Sequence, residues 1–420
     1  MTITHLDGDS DYRLRLADAA LTRLMATLPA LWIVGPRGVG KTTTALRHAA
    51  SVVHLDSPAD RGLFQVDPDA ALRQWAEPVL LDEWQEVPDV LGAVKRSVDA
   101  NPRPGRFILT GSVNAAVTGN VWPATGRVVR LPMYPMTHRE VTGRMGGMGF
   151  LDRLWDADPA AFPAVAPGLD VTDYLGLALR GGIPQAVLVE AANDPVRRLK
   201  GYADELVHRD ATLVRQGIDT GRFAAYARAV AANTAGVTDD ATLVDAARVD
   251  RRTADAYWHV LENLFLAEAL PAWWSSHLTR LVALEKRYII DSGLVAALLG
   301  LTPEAVYSST EWIGRLLDTW VAQQIRPETA LSDRQPRLHH LRTKGGQHEI
   351  DLVVEFGGNT LAGIEIKATS APHQDDAKHL RWLRDEVGER FRIGVVLHTG
   401  PHTYQLDDRI VAAPISTLWA

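Results

Sequence analysis

Apolar and polar positions change rhythm twice along the chain. In the first stretch, short apolar runs alternate with longer amphipathic segments. Leu31-Trp32-Ile33-Val34 ends at Gly35, and four similar runs follow: Val52-Val53-His54-Leu55-Asp56, Val79-Leu80-Leu81-Asp82, Phe107-Ile108-Leu109-Thr110 and Val128-Val129-Arg130-Leu131. Runs this short and this apolar predict strands buried on both faces. Residues 42–50 and 90–97 between them carry helix formers. The alternation predicts a parallel sheet covered by helices on both sides.

The rhythm breaks at Gly143-Arg144-Met145-Gly146-Gly147-Met148-Gly149, where four glycines in seven residues predict a linker. Residues 173–274 then read as mostly helical. Within them, 242–247 and 251–257 have the spacing of a helix-turn-helix, with Thr242 and Asp250 as expected caps. A third stretch starts near Ile313, with a helix over 315–326 and strands around 338–341, 348–355 and 361–367. The chain has 420 residues, more than one core usually holds. Three domains are expected: 1–150, 151–300 and 301–420.

Composition narrows the chemistry. Hydrophobic residues make up 46% and charged residues 23%, an ordinary globular balance. The net charge of -7 argues against a uniformly basic surface but not against a local basic groove. There is no cysteine, which excludes disulfides, thiolate zinc sites and cysteine nucleophiles. The first residues lack an apolar leader core, and no apolar run reaches about 18 residues. The expectation is a cytoplasmic protein with no membrane partner.

One motif is complete. Gly35-Pro36-Arg37-Gly38-Val39-Gly40-Lys41-Thr42 fits G-x-x-x-x-G-K-[ST], with an apolar strand before it and a helix after it. Its glycines let backbone N–H groups surround phosphates, and the helix that follows, through Thr43, adds its N-terminal dipole. Lys41 is expected at the phosphates and the Thr42 hydroxyl on Mg²⁺, so ATP and Mg²⁺ are the expected cofactors. Val79-Leu80-Leu81-Asp82-Glu83 reads as the acidic strand that accompanies such a loop. Asp82 is expected to hold Mg²⁺, and Glu83 to polarise the attacking water. Thr110 or Ser112, at the tip of the next strand, is the expected sensor of the nucleotide. An arginine from a neighbouring copy often completes such sites; Arg127 and Arg209 are the candidates.

Several motifs in a fixed order carry a resemblance. They are Leu81-Asp82-Glu83-Trp84-Gln85-Glu86-Val87-Pro88, Leu109-Thr110-Gly111-Ser112, Gly126-Arg127, Gly181-Gly182-Ile183-Pro184, His208-Arg209-Asp210, Tyr288-Ile289-Ile290-Asp291-Ser292-Gly293-Leu294, and Glu349-Ile350-Asp351 with Glu365-Ile366-Lys367. Together they resemble the bacterial and archaeal AAA+-like ATPases that carry a C-terminal domain of unknown function. The resemblance runs from about Leu21 to His398. It implies an α/β fold with a P-loop AAA+-type sheet, a helical, winged-helix-like middle domain, and a C-terminal PD-(D/E)XK nuclease-like α/β domain. It also implies a homo-oligomer, with a hexamer among the candidate forms.

Asp351 and Glu365-x-Lys367 follow the D…E-x-K pattern of restriction-type nucleases. Two carboxylates at adjacent strand ends can hold Mg²⁺ while the lysine orients water. Asp318 stands where that fold more often has the longer glutamate. The same residue types also form salt-bridged ladders on half-exposed strands. Arg248, Arg251 and Arg252 crowd the helix-turn-helix, and Arg342 with Lys344 precedes the acidic strand. Such clusters can neutralise nucleic-acid phosphates, and Trp273-Trp274 could stack on bases. His339, His340, His373 and His379 lack metal-ligand spacing and are expected at the surface. The resulting expectation is a Mg²⁺-dependent ATPase that binds and remodels or translocates DNA, with branched or recombination intermediates as candidate substrates. The alternatives are an ATP-controlled signalling or defence switch acting on a protein partner, and an ATP-gated, Mg²⁺-dependent nuclease.

Overall fold

The computed structural model describes residues 12–111, 126–165, 168–189, 195–273 and 284–420. Their contacts group the chain into two compact units. The first is Met1–Tyr134 with Asn263–Phe265, and the second is Pro135–Glu262 with Leu266–Ala420.

In the first unit, β1 (Ala30–Val34), β2 (Ser51–His54), β3 (Val79–Asp82), β4 (Phe107–Gly111) and β5 (Val128–Pro132) form one sheet in the order β2-β3-β4-β1-β5. Every neighbouring pair is parallel. The three inner strands are buried at every residue, which is why their sequences are unbroken apolar runs. The outer strands β2 and β5 have mixed exposure and mixed sequences. Trp32 of β1 packs edge-to-face on Trp84, with ring centres 5.3 Å apart. Because β4 lies between β1 and β3, the loop after β1 and the acids ending β3 reach the same edge of the sheet. The helix expected over 42–50 is shorter, Lys41–Leu46, because the chain must turn back into β2 at Ser51.

The second unit begins with helices. Val171–Arg180 and Thr220–Ala232 are followed by the pair Asp240–Ala247 and Arg251–Asn263. An antiparallel ribbon of β6 (Ala267–Leu270) and β7 (Lys286–Ile289) comes next. Asp250 caps the second helix of the pair as expected, accepting from the Thr253 N–H at 3.0 Å. The first helix is capped by Asp239 rather than Thr242; Thr242 is the residue whose N–H and hydroxyl donate to that carboxylate, both at 2.8 Å. The glycine-rich turn is gathered by Arg139, whose guanidinium donates to the carbonyls of Arg144, Gly146 and Gly147 at 2.6–3.1 Å.

The rest of the unit is a six-stranded sheet on which the helices Thr310–Ile325 and Lys378–Val387 pack. Its strands are β8 (Arg337–Arg342), β9 (Glu349–Phe356), β10 (Thr360–Lys367), β11 (Phe391–His398), β12 (Tyr404–Asp407) and β13 (Ile410–Pro414), in the order β12-β13-β11-β10-β9-β8. β8, β9 and β10 pair antiparallel, whereas β10, β11 and β13 pair parallel. A buried knot joins the helices. Asp291 caps Ser292–Leu299 through the Leu294 N–H (3.0 Å) and also accepts from the Gly182 N–H (2.6 Å) and Gln323 Nε2 (3.2 Å). A Cβ on Gly181 or Gly182 would collide with Asp291 or with the Met136 carbonyl.

Candidate functional site

The P-loop lies at the edge where β1 and β3 converge. Gly35 (φ +155°) and Gly40 (φ +99°) take backbone angles that side chains rarely adopt, and a Cβ on Gly35 would overlap the Met133 carbonyl. Lys41 is buried and donates to the carbonyls of Gly35 (2.9 Å) and Pro36 (2.8 Å). Burial lowers its pKa to about 8, against the pull of Glu83 and Asp82. Pro36 and Val39 are buried, Arg37 and Gly38 are exposed at the rim, and Thr43 is exposed on the helix.

Asp82 collects the polar groups of three neighbouring elements. Thr42 Oγ1 donates to Asp82 Oδ1 at 2.8 Å, and the Thr110 hydroxyl donates to the same oxygen. His54 Nδ1 lies 3.3 Å from Asp82 Oδ2, in register with it across β2 and β3. Glu83 follows in left-handed backbone (φ 52°) and accepts a hydrogen bond from Gln85 Nε2. Burial raises its carboxyl above the usual range, while Gln85 and Lys41 act against that rise. The Gln85 Oε1 is buried with no hydrogen-bond partner among the described residues. The donor set fits a magnesium nucleotide: a loop with no room for a Cβ at Gly35, an ammonium, and a hydroxyl beside a carboxylate.

Two residues that sequence reading passed over brace this loop. Arg15 donates to the Val39 carbonyl (2.6 Å) and the Tyr134 carbonyl (2.8 Å). The Tyr12 hydroxyl bridges Thr44 and Asp18, 2.8 Å from each. His54 and Gln85 were also missed. The signal for His54 was its place at the strand end level with Asp82.

Of the remaining candidates, Ser112 lies outside the described residues. Arg127 is in the first unit and pairs with Asp99 at 2.8 Å. Arg209 is exposed in the second unit, in the turn of π-helix Leu206–Asp210.

The second unit brings Asp318, Asp351, Glu365 and Lys367 to one cleft of about 600 Å³. Asp351 and Glu365 lie on the neighbouring strands β9 and β10, and Asp351 Oδ2 accepts from the Ile366 N–H at 2.9 Å. Lys367 Nζ pairs with Glu365 Oε2 at 3.1 Å. Burial, and then the Asp351 charge, push the Glu365 carboxyl well above its ordinary value. A residue the sequence did not single out, Lys286 of β7, reaches in between the two aspartates. Its ammonium lies 2.6 Å from Asp318 Oδ2 and 3.3 Å from Asp351 Oδ1. Among the described residues no three His, Asp or Glu side chains converge as a metal-binding group. With the Lys286 ammonium between them, Asp318 and Asp351 already have a cation partner.

The other candidates for nucleic-acid contact divide by burial. Arg248, Arg251, Arg252 and Lys344 are exposed, whereas Arg342 is half-buried beside Glu349. Trp273 is a core residue, and Trp274 lies outside the described residues. The histidines are not all superficial as expected. His340 is buried and bonds the Leu284 carbonyl at 2.8 Å, and His339 is half-buried on β8, because their strand packs into the sheet. His379 is half-buried at the cleft and only His373 is exposed.

Comparison with known proteins agrees with the first of these sites. Residues 28–142 match the family model described as an AAA domain. That span contains all five strands of the first unit's sheet and the P-loop. The match, the parallel sheet and the loop geometry together support a nucleotide-dependent ATPase. Residues 171–305 and 313–418 match two models described as domains of unknown function, DUF8612 and DUF4143. Uncharacterised proteins of Mycobacterium bovis and Mycobacterium tuberculosis are each 26% identical over 405 residues, covering 95% of this chain and 83% of theirs. A solved Walker-type ATPase of Pyrococcus abyssi is 14% identical with a TM-score of 0.43, over 69% of this chain and 96% of that one. Among the described residues no helix is long and apolar enough to cross a membrane.

Proposed function

We propose that the chain is a Mg²⁺-dependent ATPase that binds DNA and remodels or translocates it. The observation that carries the ATPase reading is the Thr42 hydroxyl 2.8 Å from Asp82 Oδ1, beside the Lys41 ammonium and the Glu83 carboxyl. The bound Mg²⁺–ATP supplies a γ-phosphoryl group open to attack by water. Thr42 and Asp82 would hold the metal, Lys41 would offset phosphate charge, and Glu83 would accept a proton from the attacking water. Thr110 keeps the Asp82 carboxylate turned toward Thr42. A neighbouring copy supplies Arg127 or Arg209 to the developing charge, in a homo-oligomer with a hexamer as the form to test first.

The DNA reading rests on the second unit. A helix pair followed by a two-stranded ribbon has the element order of a winged helix, and Arg248, Arg251 and Arg252 are exposed on it. The long helix Thr310–Ile325 and the β8–β11 sheet, with Asp351 and Glu365 on adjacent strands, support a nuclease-like α/β domain used for binding. ATP turnover measured without DNA and with duplex, single-stranded and four-way junction DNA tests both halves. Lys41→Ala is expected to abolish turnover, and at least one DNA form to stimulate the parent. Turnover that survives Lys41→Ala overturns the ATPase half. No binding of and no stimulation by any form overturns the DNA half, and nucleotide-dependent assembly indifferent to DNA then identifies a switch acting on a protein partner.

A further inference from the structure

We infer that Lys286 is the built-in cation of the second unit's acidic cleft: its ammonium occupies the place between Asp318 and Asp351 that a divalent metal would take. Four observations lead there. Lys286 is 2% exposed, so its ammonium is a buried charge that must be paired. Its contacts are Asp318 Oδ2 at 2.6 Å, Asp351 Oδ1 at 3.3 Å and the Asp351 carbonyl at 3.3 Å. The other oxygens of the two aspartates are engaged as well: Asp318 Oδ1 accepts from the Tyr288 hydroxyl at 2.8 Å, and Asp351 Oδ2 from the Ile366 N–H. Glu365, also 2% exposed, has one oxygen on Lys367, and its Oε1 is buried in the cleft with no hydrogen-bond partner among the described residues.

A hard divalent cation needs about six oxygen ligands, several of them from the protein. Of the carboxylate oxygens of Asp318, Asp351 and Glu365, Glu365 Oε1 alone has no partner among the described residues. Removing the ammonium frees Asp318 Oδ2 and Asp351 Oδ1 beside it. It also leaves buried carboxylates uncompensated, which a bound cation would correct. Lys286 therefore fills the seat electrostatically and sterically, and it brings an element with it. It belongs to β7, whose next residue, Arg287, donates to Asp240 at 2.6 Å on the first helix of the pair. The charge that closes the cleft thus ties the ribbon and the helix pair to the sheet.

Mn²⁺ binding followed by electron paramagnetic resonance tests this, using the full-length Lys41→Ala chain as parent so that the P-loop contributes equally to every sample. The parent is expected to bind no Mn²⁺ that depends on Glu365. Adding Lys286→Met is expected to create one Mn²⁺ site that Glu365→Gln removes, and Mn²⁺ should raise the melting temperature of that variant more than the parent's. A folded Lys286→Met chain that gains no site overturns the inference. Should Lys286→Met fail to fold, the comparison of parent with Glu365→Gln decides alone. Mn²⁺ bound by the parent and lost on Glu365→Gln overturns the inference, and equal binding by the two supports it.

Discussion

Single side chains set how the nucleotide site ionises. Glu83 is half-buried, and that desolvation raises its pKa, while the Gln85 side chain works against the rise by donating to it. A general base must be deprotonated, so turnover falls as pH drops through the Glu83 pKa. Replacing Gln85 with leucine removes the stabilising donor and moves that pKa further up. The acid limb of the kcat–pH profile is expected to shift to higher pH in Gln85→Leu, while the alkaline side stays in place. An unshifted limb would show that Gln85 does not tune Glu83. Glu83→Gln is expected to lower kcat by about 10²-fold or more, the usual range for a lost general base. Its nucleotide affinity, measured by fluorescence titration, should change by no more than a few fold. At this scale the sequence was readable where one motif names neighbours, as for Lys41, Thr42 and Asp82, which the structure brings together. It was silent where partners are distant. Lys286 sits 32 residues from Asp318 and 65 from Asp351, and no local pattern marks it.

Elements were legible in proportion to how one-sided their environment is. The inner strands of the first sheet are buried throughout, and their apolar runs announce them. In the second sheet β8, β9 and β10 were visible from sequence, but β11 to β13 were not. Short strands such as β12, four residues of mixed exposure, have no clean period to read. Cap positions slipped for a related reason. Asp239 and Thr242 are both good cap residues three apart, and only the backbone angles decide between them. The motif glycines and Asp291 gain a physical meaning here. They meet at one buried junction, where Asp291 caps a helix and ties it to the Gly182 backbone. Asp291→Ala removes a cap worth about 1 kcal/mol and orphans buried N–H groups at about 1–3 kcal/mol. Urea denaturation of the second unit is expected to show a loss of about 2–4 kcal/mol. A loss under about 0.5 kcal/mol, the usual range for surface changes, would remove Asp291 from this role.

For the molecule as a whole, buried titratable groups of the second unit oppose one another. Glu328, on Arg139 and the Leu151 N–H, is 4% exposed, and burial lifts its pKa from 4.5 to about 7. A raised folded pKa gives a stabilising contribution that is full below pH 4.5 and is lost as pH rises through about 7. His138, His340 and His379 go the other way, because burial lowers each to about 4. Their contribution is present above 6.5 and is lost as pH falls toward 4. Burial raises Asp291, Asp318 and Glu365 of the same unit as well, so Glu328 is one of several carboxyls that offset the histidines as pH falls from 7 to 5. Glu328→Gln isolates the glutamate. The glutamine cannot ionise, so relative to the parent it gains stability as pH rises across the window from 4.5 to 7. Chemical denaturation at pH 5 and pH 8 is expected to show the variant-minus-parent difference growing by about 2 kcal/mol, since one pKa unit corresponds to about 1.4 kcal/mol. Both proteins share the histidines, so their contribution cancels from that difference. A difference that stays constant between the two pH values would mean that Glu328 is ionised equally in the folded and unfolded chain, and that its burial carries no electrostatic cost.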